Sequence, residues 1–178
     1  ALANGTSVAA GVGTLAAVQA LNAYYLAIVL TALANCALRG TMQSYHPFIA
    51  EVKPHLGQTY AARLIFNLLS TTSDRLIPKG DVVGFAPAHE YRLWQLTYPF
   101  RCASQHLAPE YDVLMGTLHD LSIEVNSVSD NPLILDDGPR QFAVSGGNFL
   151  GSTVARDMDK LKVSIHSIAR LVHAQYKF

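Results

Sequence analysis

Three polar side chains of different chemistry, Gln95, Tyr98 and Arg101, follow one another at intervals of three residues. A guanidinium binds a carboxylate through two parallel hydrogen bonds. A phenol can give or take a proton, and an amide both donates and accepts hydrogen bonds. This set suits a small amino acid, which carries a carboxylate and an amine. Because polar triplets are common on protein surfaces, the segment indicates such a site only together with its flanking motifs.

Two motifs flank this segment. Residues 4–6 (Asn-Gly-Thr) precede a long helical pattern, where backbone N–H groups gather, so Asn4 could display its amide there. The structural alternative is an N-cap role for Asn4 or Thr6. Residues 145–149 (Ser-Gly-Gly-Asn-Phe) contain two glycines that let the backbone approach a ligand. Phe149 could present its ring to an aromatic substrate, and a tight turn with a core Phe is the alternative.

The composition limits the classes of partner. Of the 178 residues, 50% are hydrophobic and 15% are charged, with 13 basic and 13 acidic side chains. The length suffices for one domain with a core. A net charge of zero argues against nucleic acid as a partner, because that binding depends on neutralising phosphates. So few charges predict that much of the surface is covered, by other chains or by the rest of a longer polypeptide.

The N-terminal stretch is uncharged up to Arg39. Residues 6–40 form one long helix pattern rich in Ala and Leu, with Gly40 as its C-cap. Residues 21–38 are long enough to raise the possibility of a membrane span. However, amides such as Asn22 recur there, and an apolar helix is equally typical of the core of a large bundle. We therefore expect a buried central helix and no membrane partner.

Cofactor and compartment signals are few. The two cysteines, Cys36 and Cys102, match no metal-ligand spacing and predict a reducing, cytoplasmic environment. His166 and His173 lie two turns apart, but without an H-E-x-x-H motif or a Cys/His pair no metal site is expected. Residues 11–16 match a Gly-x-Gly-x-x-Ala dinucleotide pattern. No strand precedes it, so close helix packing explains these small residues better.

The remaining pattern predicts a mainly α fold with one small β-hairpin. Apolar residues recur at helical spacing in three later segments, and a Pro/Gly-rich stretch separates the first of these from the others. The expected elements are helices at 57–70, from Pro109 to about 128 and from 148 through 176, a break at 45–54, a loop at 71–90, and hairpin strands at 133–135 and 141–144.

Together, the motifs resemble the aromatic amino acid ammonia-lyase and aminomutase family, which includes histidine, phenylalanine and tyrosine ammonia-lyases. The matching stretches keep their order and approximate spacing over the whole chain. They are Leu-Ala-Asn-Gly-Thr at 2–6, Lys-Pro-His-Leu-Gly-Gln at 53–58, Gln-x-x-Tyr-x-x-Arg-Cys at 95–102, Glu-Val-Asn-Ser-Val-x-Asp-Asn-Pro-Leu at 124–133, Gly-Gly-Asn-Phe-x-Gly at 146–151 and Met-Asp at 158–159.

This resemblance implies a long-helix bundle of the ammonia-lyase type. It also implies a C–N lyase that eliminates ammonia from an aromatic L-amino acid to give an aryl acrylate. The alternatives are a 2,3-aminomutase that gives a β-amino acid, and a non-catalytic helical oligomerisation scaffold. The family uses the electrophile 4-methylidene-imidazol-5-one (MIO), formed from Ala-Ser-Gly, which this sequence lacks. Residues 1–178 are therefore expected to be the central helical segment of a longer lyase chain, without separate domains and inactive alone.

By the same resemblance, five residues receive roles. Asn4 would hydrogen-bond the prosthetic group or the captured amine. Gln95 and Tyr98 would line the pocket, with Tyr98 near the reacting amine. Arg101 would hold the substrate carboxylate, and Phe149 would pack beside the ring system. We class the first three as catalytic and the last two as substrate-binding.

The family also implies partners. Its members form homotetramers whose central helices bundle together and whose active sites combine residues of several subunits. We therefore expect a homotetramer, contacts with the remaining parts of the same polypeptide, and a small aromatic amino acid as ligand. Leu96 stands where the family usually has Asp, and Leu56 where it often has Pro. These departures leave the substrate class open.

Overall fold

The computed structural model describes residues 5–72 and 96–177. Over this part of the chain the fold is mainly α with one small β-hairpin, which confirms the predicted class. Asn4, Gln95 and almost all of the predicted loop at 71–90 lie outside the described residues. In chain order the elements are α1 (Ser7–Ala37), a 3-10 turn (Gln43–Tyr45), α2 (Pro47–Glu51), α3 (Leu56–Ser70), α4 (Tyr98–Arg101), α5 (Ala103–Val125), β1 (Leu133–Asp136), β2 (Gln141–Val144) and α6 (Ser152–Tyr176).

Helix α1 confirms the long N-terminal helix, but its end differs from the prediction. Arg39, and not Gly40, takes the left-handed conformation, with φ of 49°. The Gly40 amide donates to the Asn35 carbonyl at 2.9 Å and the Arg39 amide to the Cys36 carbonyl at 3.1 Å, the paired bonds that close a helix C-terminus. Gly40 is needed for space, because a Cβ there would collide with the Asn35 side chain.

Length and composition would allow α1 to cross a membrane, and the core helix of a soluble protein satisfies the same criterion. Its fully buried positions are mostly small residues, such as Ala17 and Ala20, which let neighbouring helices approach closely. This pattern is that of a helix packed against other helices. The absence of a membrane partner stays a prediction.

Two predicted boundaries at prolines are wrong. The break at 45–54 contains α2, because Pro47 starts a helix, where its missing N–H costs nothing. The ring nitrogen Nδ1 of His46 caps this helix by accepting from the Phe48 amide at 3.2 Å. Conversely, Pro109 does not start a helix: α5 begins at Ala103 and Pro109 lies inside it.

Burial explains why α5 continues through its proline. An internal proline costs a helix roughly 3 kcal/mol, because it removes one hydrogen bond and crowds the preceding turn. Four of the six residues from 103 to 108 are buried, and burying several side chains outweighs that cost. The buried residues of this turn are Ala103, Ser104, Leu107 and Ala108.

The chain divides into two compact units, and the division falls within α1, α5 and α6. The hairpin unit consists of Ala1–Ala20 and Val113–Val163, and the turn unit of Leu21–Asp112 and Ser164–Phe178. Buried residues of the hairpin unit include Ala10, Ala17, Leu114, Leu121, Val154 and Leu161; those of the turn unit include Tyr24, Ile28, Tyr45, Ile65, Leu69, Phe100 and Leu107. Whether the 178 residues form one segment without separate domains stays a prediction.

The β-hairpin lies where the alternation of the sequence places it. β1 and β2 pair antiparallel, with Leu133 opposite Val144 and Leu135 opposite Phe142. Gly138 in the connection has φ of 71°, a conformation that glycine adopts without strain. The hairpin joins the end of α5 to the start of α6, and so it carries the chain from the motif at 124–133 to the motif at 146–151.

Candidate active site

Tyr98 and Arg101 lie together on α4, a helix of a single turn in the turn unit. Pro99 stands in its first turn, where a fixed φ favours the helix, and the Arg101 amide donates to the Thr97 carbonyl at 2.9 Å. The Arg101 guanidinium carbon lies 4.6 Å from the centre of the Tyr98 ring, a cation–π contact. Tyr98 is 71% exposed and Arg101 is half-buried. The structure thus brings two of the five predicted site residues together.

Buried side chains form hydrogen bonds to the backbone between these two residues. The Tyr45 hydroxyl donates to the Phe100 carbonyl at 2.5 Å, and Nε2 of Gln175 donates to the Pro99 carbonyl at 2.9 Å. Burial raises the pKa of the Tyr45 hydroxyl, so that this group stays a protonated donor. The Phe100 ring is itself buried and anchors the turn in the core.

A small groove adjoins Tyr98 within the turn unit. Its volume is about 220 Å³, which is below the roughly 300–1,000 Å³ of ordinary ligand pockets. A pocket for an aromatic amino acid therefore needs walls beyond this groove. Residues lining it are Tyr98, Pro99, Cys102, His106, Arg170, Leu171 and Ala174.

The hairpin unit holds a second polar cluster, centred on Thr6. The Thr6 hydroxyl donates to Oε1 of Glu124, near the end of α5. The Thr6 amide donates to Oγ of Ser129 at 3.3 Å. Thr6 is only 5% exposed, so these bonds are largely shielded from water. They fix the segment that follows Asn4, and they give Thr6 a different partner from the N-cap bond expected as an alternative.

Two further bonds tie the loop after α5 to the loop after the hairpin. The Asn148 side-chain amide donates to the Val128 carbonyl at 3.2 Å, and the Gly146 amide donates to Oδ1 of Asn131 at 2.8 Å. Phe149, next in the chain, is 42% exposed, so the described residues of this chain do not bury its ring. Within this unit, then, Thr6 lies beside the motif at 124–133, and that motif is bonded to the motif at 146–151.

A cavity of about 370 Å³ lies among these loops. Its lining combines a carboxylate, hydroxyls, an amide and open glycine backbone, which can bind a polar ligand group. The lining residues are Glu124, Ser127, Val128, Ser129, Gly147, Asn148 and Leu150. Within the described ranges 5–72 and 96–177, no three His, Cys, Asp or Glu side chains are grouped so as to hold a metal ion.

The predicted site residues are thus distributed unevenly. Tyr98 and Arg101 share one turn of the turn unit, Phe149 belongs to the hairpin unit, and Asn4 and Gln95 lie outside the described residues. Sequence reasoning missed Tyr45 and Gln175, because contacts across 55 and 76 residues have no spacing signature. Glu124 stood inside a recognised motif, and only the structure gives it a partner.

Comparisons with known proteins place these motifs in context. A profile of the family described as aromatic amino acid lyase matches residues 1–177. A phenylalanine ammonia-lyase of Nostoc punctiforme is 38% identical over 178 residues, covering 98% of this chain and 30% of that enzyme. A phenylalanine aminomutase (L-beta-phenylalanine forming) of Talaromyces islandicus is 36% identical over 177 residues, covering 98% of this chain and 24% of that enzyme.

A solved structure shows the same arrangement of elements. Phenylalanine ammonia-lyase from Rhodosporidium toruloides matches with a TM-score of 0.82 at 31% identity, covering 96% of this chain and 24% of that one. The chain therefore spans less than a third of the length of these three relatives. What the comparisons establish is the family of this segment and its helical fold.

Proposed function

This chain belongs to the aromatic amino acid lyase family, and we propose that the whole protein eliminates ammonia from an aromatic L-amino acid to give an aryl acrylate. The observation that carries the proposal is the pairing of Tyr98 and Arg101 on one exposed turn. Such a substrate requires two things of its site, a cationic partner for its carboxylate and a proton-transfer group near its amine. The same turn supplies both.

Arg101 is the residue that we propose binds the substrate carboxylate. A guanidinium offers a planar fork that matches both carboxylate oxygens. Its half-buried position beside the Tyr98 ring restricts its motion and reduces competition from water. A carboxylate bound there places the α-carbon and its amine close to Tyr98, so the phenol can accept or return a proton at that end of the substrate.

Asn4, Gln95 and Phe149 complete the proposed site. Asn4 supplies an amide for the amine or the prosthetic group, and the Thr6 bonds to Glu124 and Ser129 support this assignment by fixing the adjoining backbone. Gln95 precedes the turn by three residues and would line the pocket. The exposed ring of Phe149 is available to stack on an aromatic substrate.

The prosthetic group that the family implies is MIO. The chemistry of the described residues fits it: the Tyr98 phenol is largely exposed, so it can face a group supplied from outside residues 1–178. Asn4 and Tyr98 are the residues of this chain that would hold it. When bound, MIO supplies an electrophile that turns a poor leaving group, the amine, into a good one. The chain by itself is therefore expected to be inactive.

We propose that the protein's partners are further copies of itself in a homotetramer. The basis for this is one face of α1. Apolar side chains recur there at alternating intervals of four and three residues, which is the spacing of a helix–helix seam. Every member is at least 40% exposed, and the polar residues Gln19 and Asn22 continue the same series. The apolar members of this seam are Val8, Val12, Leu15, Leu26, Val29 and Leu33.

The second candidate function is that of a 2,3-aminomutase, favoured by the 36% identity to a phenylalanine aminomutase. A mutase returns the ammonia to the neighbouring carbon, so both activities use the same residues. A non-catalytic oligomerisation scaffold would need only the α1 seam.

Both cysteines are free, which supports the cytoplasmic location that we also propose.

Offering phenylalanine, tyrosine and histidine separately to the full-length protein tests the proposal. Ammonia release together with the ultraviolet absorbance of an aryl acrylate supports the lyase. A β-amino acid without net ammonia release identifies the mutase. If none of the three amino acids reacts and the protein is still a tetramer in sedimentation, the scaffold explains the chain and the enzymatic proposal is wrong.

A further inference from the structure

The turn that carries Tyr98 and Arg101 is short, and its local backbone bonds end on the Thr97 and Tyr98 carbonyls. A helix leaves its last carbonyls without intrahelical donors, and α4 has only four residues. Its Pro99 and Phe100 carbonyls lie in the backbone between the two functional side chains. Donors from elsewhere in the turn unit therefore add to the local bonds in fixing the backbone between the phenol and the guanidinium.

Two buried side chains supply these donors. Tyr45, from the 3-10 turn, is 1% exposed and reaches the Phe100 carbonyl at 2.5 Å. Gln175, near the end of α6, is 7% exposed and reaches the Pro99 carbonyl at 2.9 Å. Because both donors are shielded from water, the loss of either leaves a carbonyl that water reaches poorly.

Gln175 is itself fixed to α1. Its Nε2 lies 2.9 Å from the Thr31 hydroxyl oxygen, and that hydroxyl donates to the Ala27 carbonyl at 2.7 Å. The Gln175 amide therefore connects α4 and α6 to one turn of α1. A rigid partner of this kind transmits its own position to the Pro99 carbonyl.

We infer that Tyr45 and Gln175 are positioning residues for the proposed reaction, because together they fix the α4 backbone and with it the spacing of Tyr98 and Arg101. The inference rests on the proposed function, in which Arg101 binds the substrate carboxylate. Neither residue touches substrate. Tyr98 is mostly exposed, so packing of its own ring does little to orient it, and the backbone anchor does this instead.

The chain provides a matched pair of variants. Tyr45 and Tyr24 are both completely buried tyrosines of the turn unit. The Tyr45 hydroxyl bonds to α4, whereas the Tyr24 hydroxyl has no hydrogen-bond partner among the described residues. Tyr45→Phe and Tyr24→Phe thus remove the same atom from similar surroundings, and only the first releases the turn.

In the full-length enzyme, Tyr45→Phe is expected to raise KM roughly tenfold, since a misplacement of about 1 Å can cost up to about 100-fold. Gln175→Met, which keeps the length of the side chain and removes its donor, should act in the same direction. Tyr24→Phe should keep wild-type KM and kcat. If Tyr45→Phe fails to fold, Gln175→Met against Tyr24→Phe makes the same comparison.

A carboxylate-dependent readout separates positioning from loss of stability. The inhibition constant of an aryl acrylate should rise in Tyr45→Phe by about the same factor as KM, whereas that of a 2-arylethylamine, which has no carboxylate, should stay unchanged. If the inhibition constant of each inhibitor is the same in both anchor variants as in wild type, the inference is wrong and the proposed function stays intact. A wild-type protein that turns over no aromatic amino acid would overturn both.

Discussion

The turn unit and the hairpin unit hold their polar residues in different ways. In the turn unit, buried side chains bond directly to backbone carbonyls of α4, at 2.5 and 2.9 Å. In the hairpin unit, apart from the shielded bonds of Thr6, the bonds of Asn148 and Gly146 join two exposed loops. A buried bond is hard to replace with water, whereas an exposed one exchanges with it readily. The bonds to α4 fix one geometry, whereas the bonds between the exposed loops permit several.

The close-packed glycines show the same difference. A Cβ on Gly57, in the turn unit, would collide with the backbone carbonyl of Ala108. A Cβ on Gly13, in the hairpin unit, would meet the flexible end of Met158 at 3.3 Å. At these two positions, the turn unit packs backbone against backbone, and the hairpin unit packs against a side chain that can move.

This difference agrees with the separate roles that we propose for Arg101 and Phe149. The carboxylate is common to every amino acid, and its proposed partner Arg101 lies in the unit whose bonds are buried. The aromatic ring varies between substrates, and Phe149 lies on an exposed loop of the other unit. We therefore expect substrate preference to change through the hairpin unit while carboxylate binding stays constant.

The largest effect is expected at the α4 turn itself. Arg101→Lys cannot reproduce the bidentate fork, so kcat/KM should fall roughly 100-fold, about 2.8 kcal/mol, mainly through KM. Tyr98→Phe keeps the ring and removes the hydroxyl, so binding should survive while kcat falls. Steady-state kinetics and melting temperatures of the same preparations check both. If both variants lose only thermal stability and keep wild-type kinetics, the two residues are structural.

The next largest effect is expected from substituting glycines, and it is an effect on the free energy of unfolding. Gly57→Ala forces apart two backbones in the turn unit and should cost about 1–3 kcal/mol. Gly116→Ala, in α5 of the hairpin unit, adds a methyl group where no atom lies within 4 Å. It should stabilise the helix by about 0.5–1 kcal/mol. Denaturant midpoints of the two variants should therefore move in opposite directions, and a shared direction would refute the difference in packing.

The buried hydrogen bond of Thr6 provides a test in the hairpin unit. Thr6→Val removes the hydroxyl that bonds to Glu124 and keeps the shape, whereas Thr6→Ser keeps the hydroxyl. Loss of this bond should loosen the segment that carries Asn4 and lower kcat roughly tenfold, about 1.4 kcal/mol. Thr6→Ser should stay close to wild type. Equal kcat values in the two variants would show that the Glu124 bond does not support the site.

The smallest effect is expected at the end of α1. Arg39 has a positive φ, which costs a residue with a side chain roughly 1 kcal/mol relative to glycine. Arg39→Gly should therefore raise the free energy of unfolding slightly, with no change in KM. Gly40→Ala is the matched control, since its Cβ collides with Asn35 and should destabilise the protein. Calorimetry on both variants checks the sign.

Much of the fold follows from local pattern, because helix periodicity and strand alternation act within a few residues. The long helices and the hairpin at 133–144 could therefore be predicted. The errors at Pro47 and Pro109 have the opposite cause: a proline boundary depends on how much neighbouring structure buries, which the local sequence does not contain. Pro109 stays within its helix because the preceding turn lies in the core.

The site was predictable in part for a related reason. Tyr98 and Arg101 are three residues apart, so a single helical turn brings them together, as their spacing indicates. Their supports come from distant elements, and nothing in the spacing of Tyr45 or Gln175 points to α4. Asn4 and Phe149 were identified through family motifs, and their roles stay predictions.

Equilibrium binding to Arg101→Lys is the most direct test of the central claim, that the α4 turn holds the substrate carboxylate. The dissociation constants of an aryl acrylate and of the matching 2-arylethylamine would be measured on full-length wild type and on this variant. We expect roughly 100-fold weaker binding of the acrylate and unchanged binding of the amine, because only the acrylate has a carboxylate for the guanidinium fork. Equal weakening of both ligands, or of neither, would contradict it.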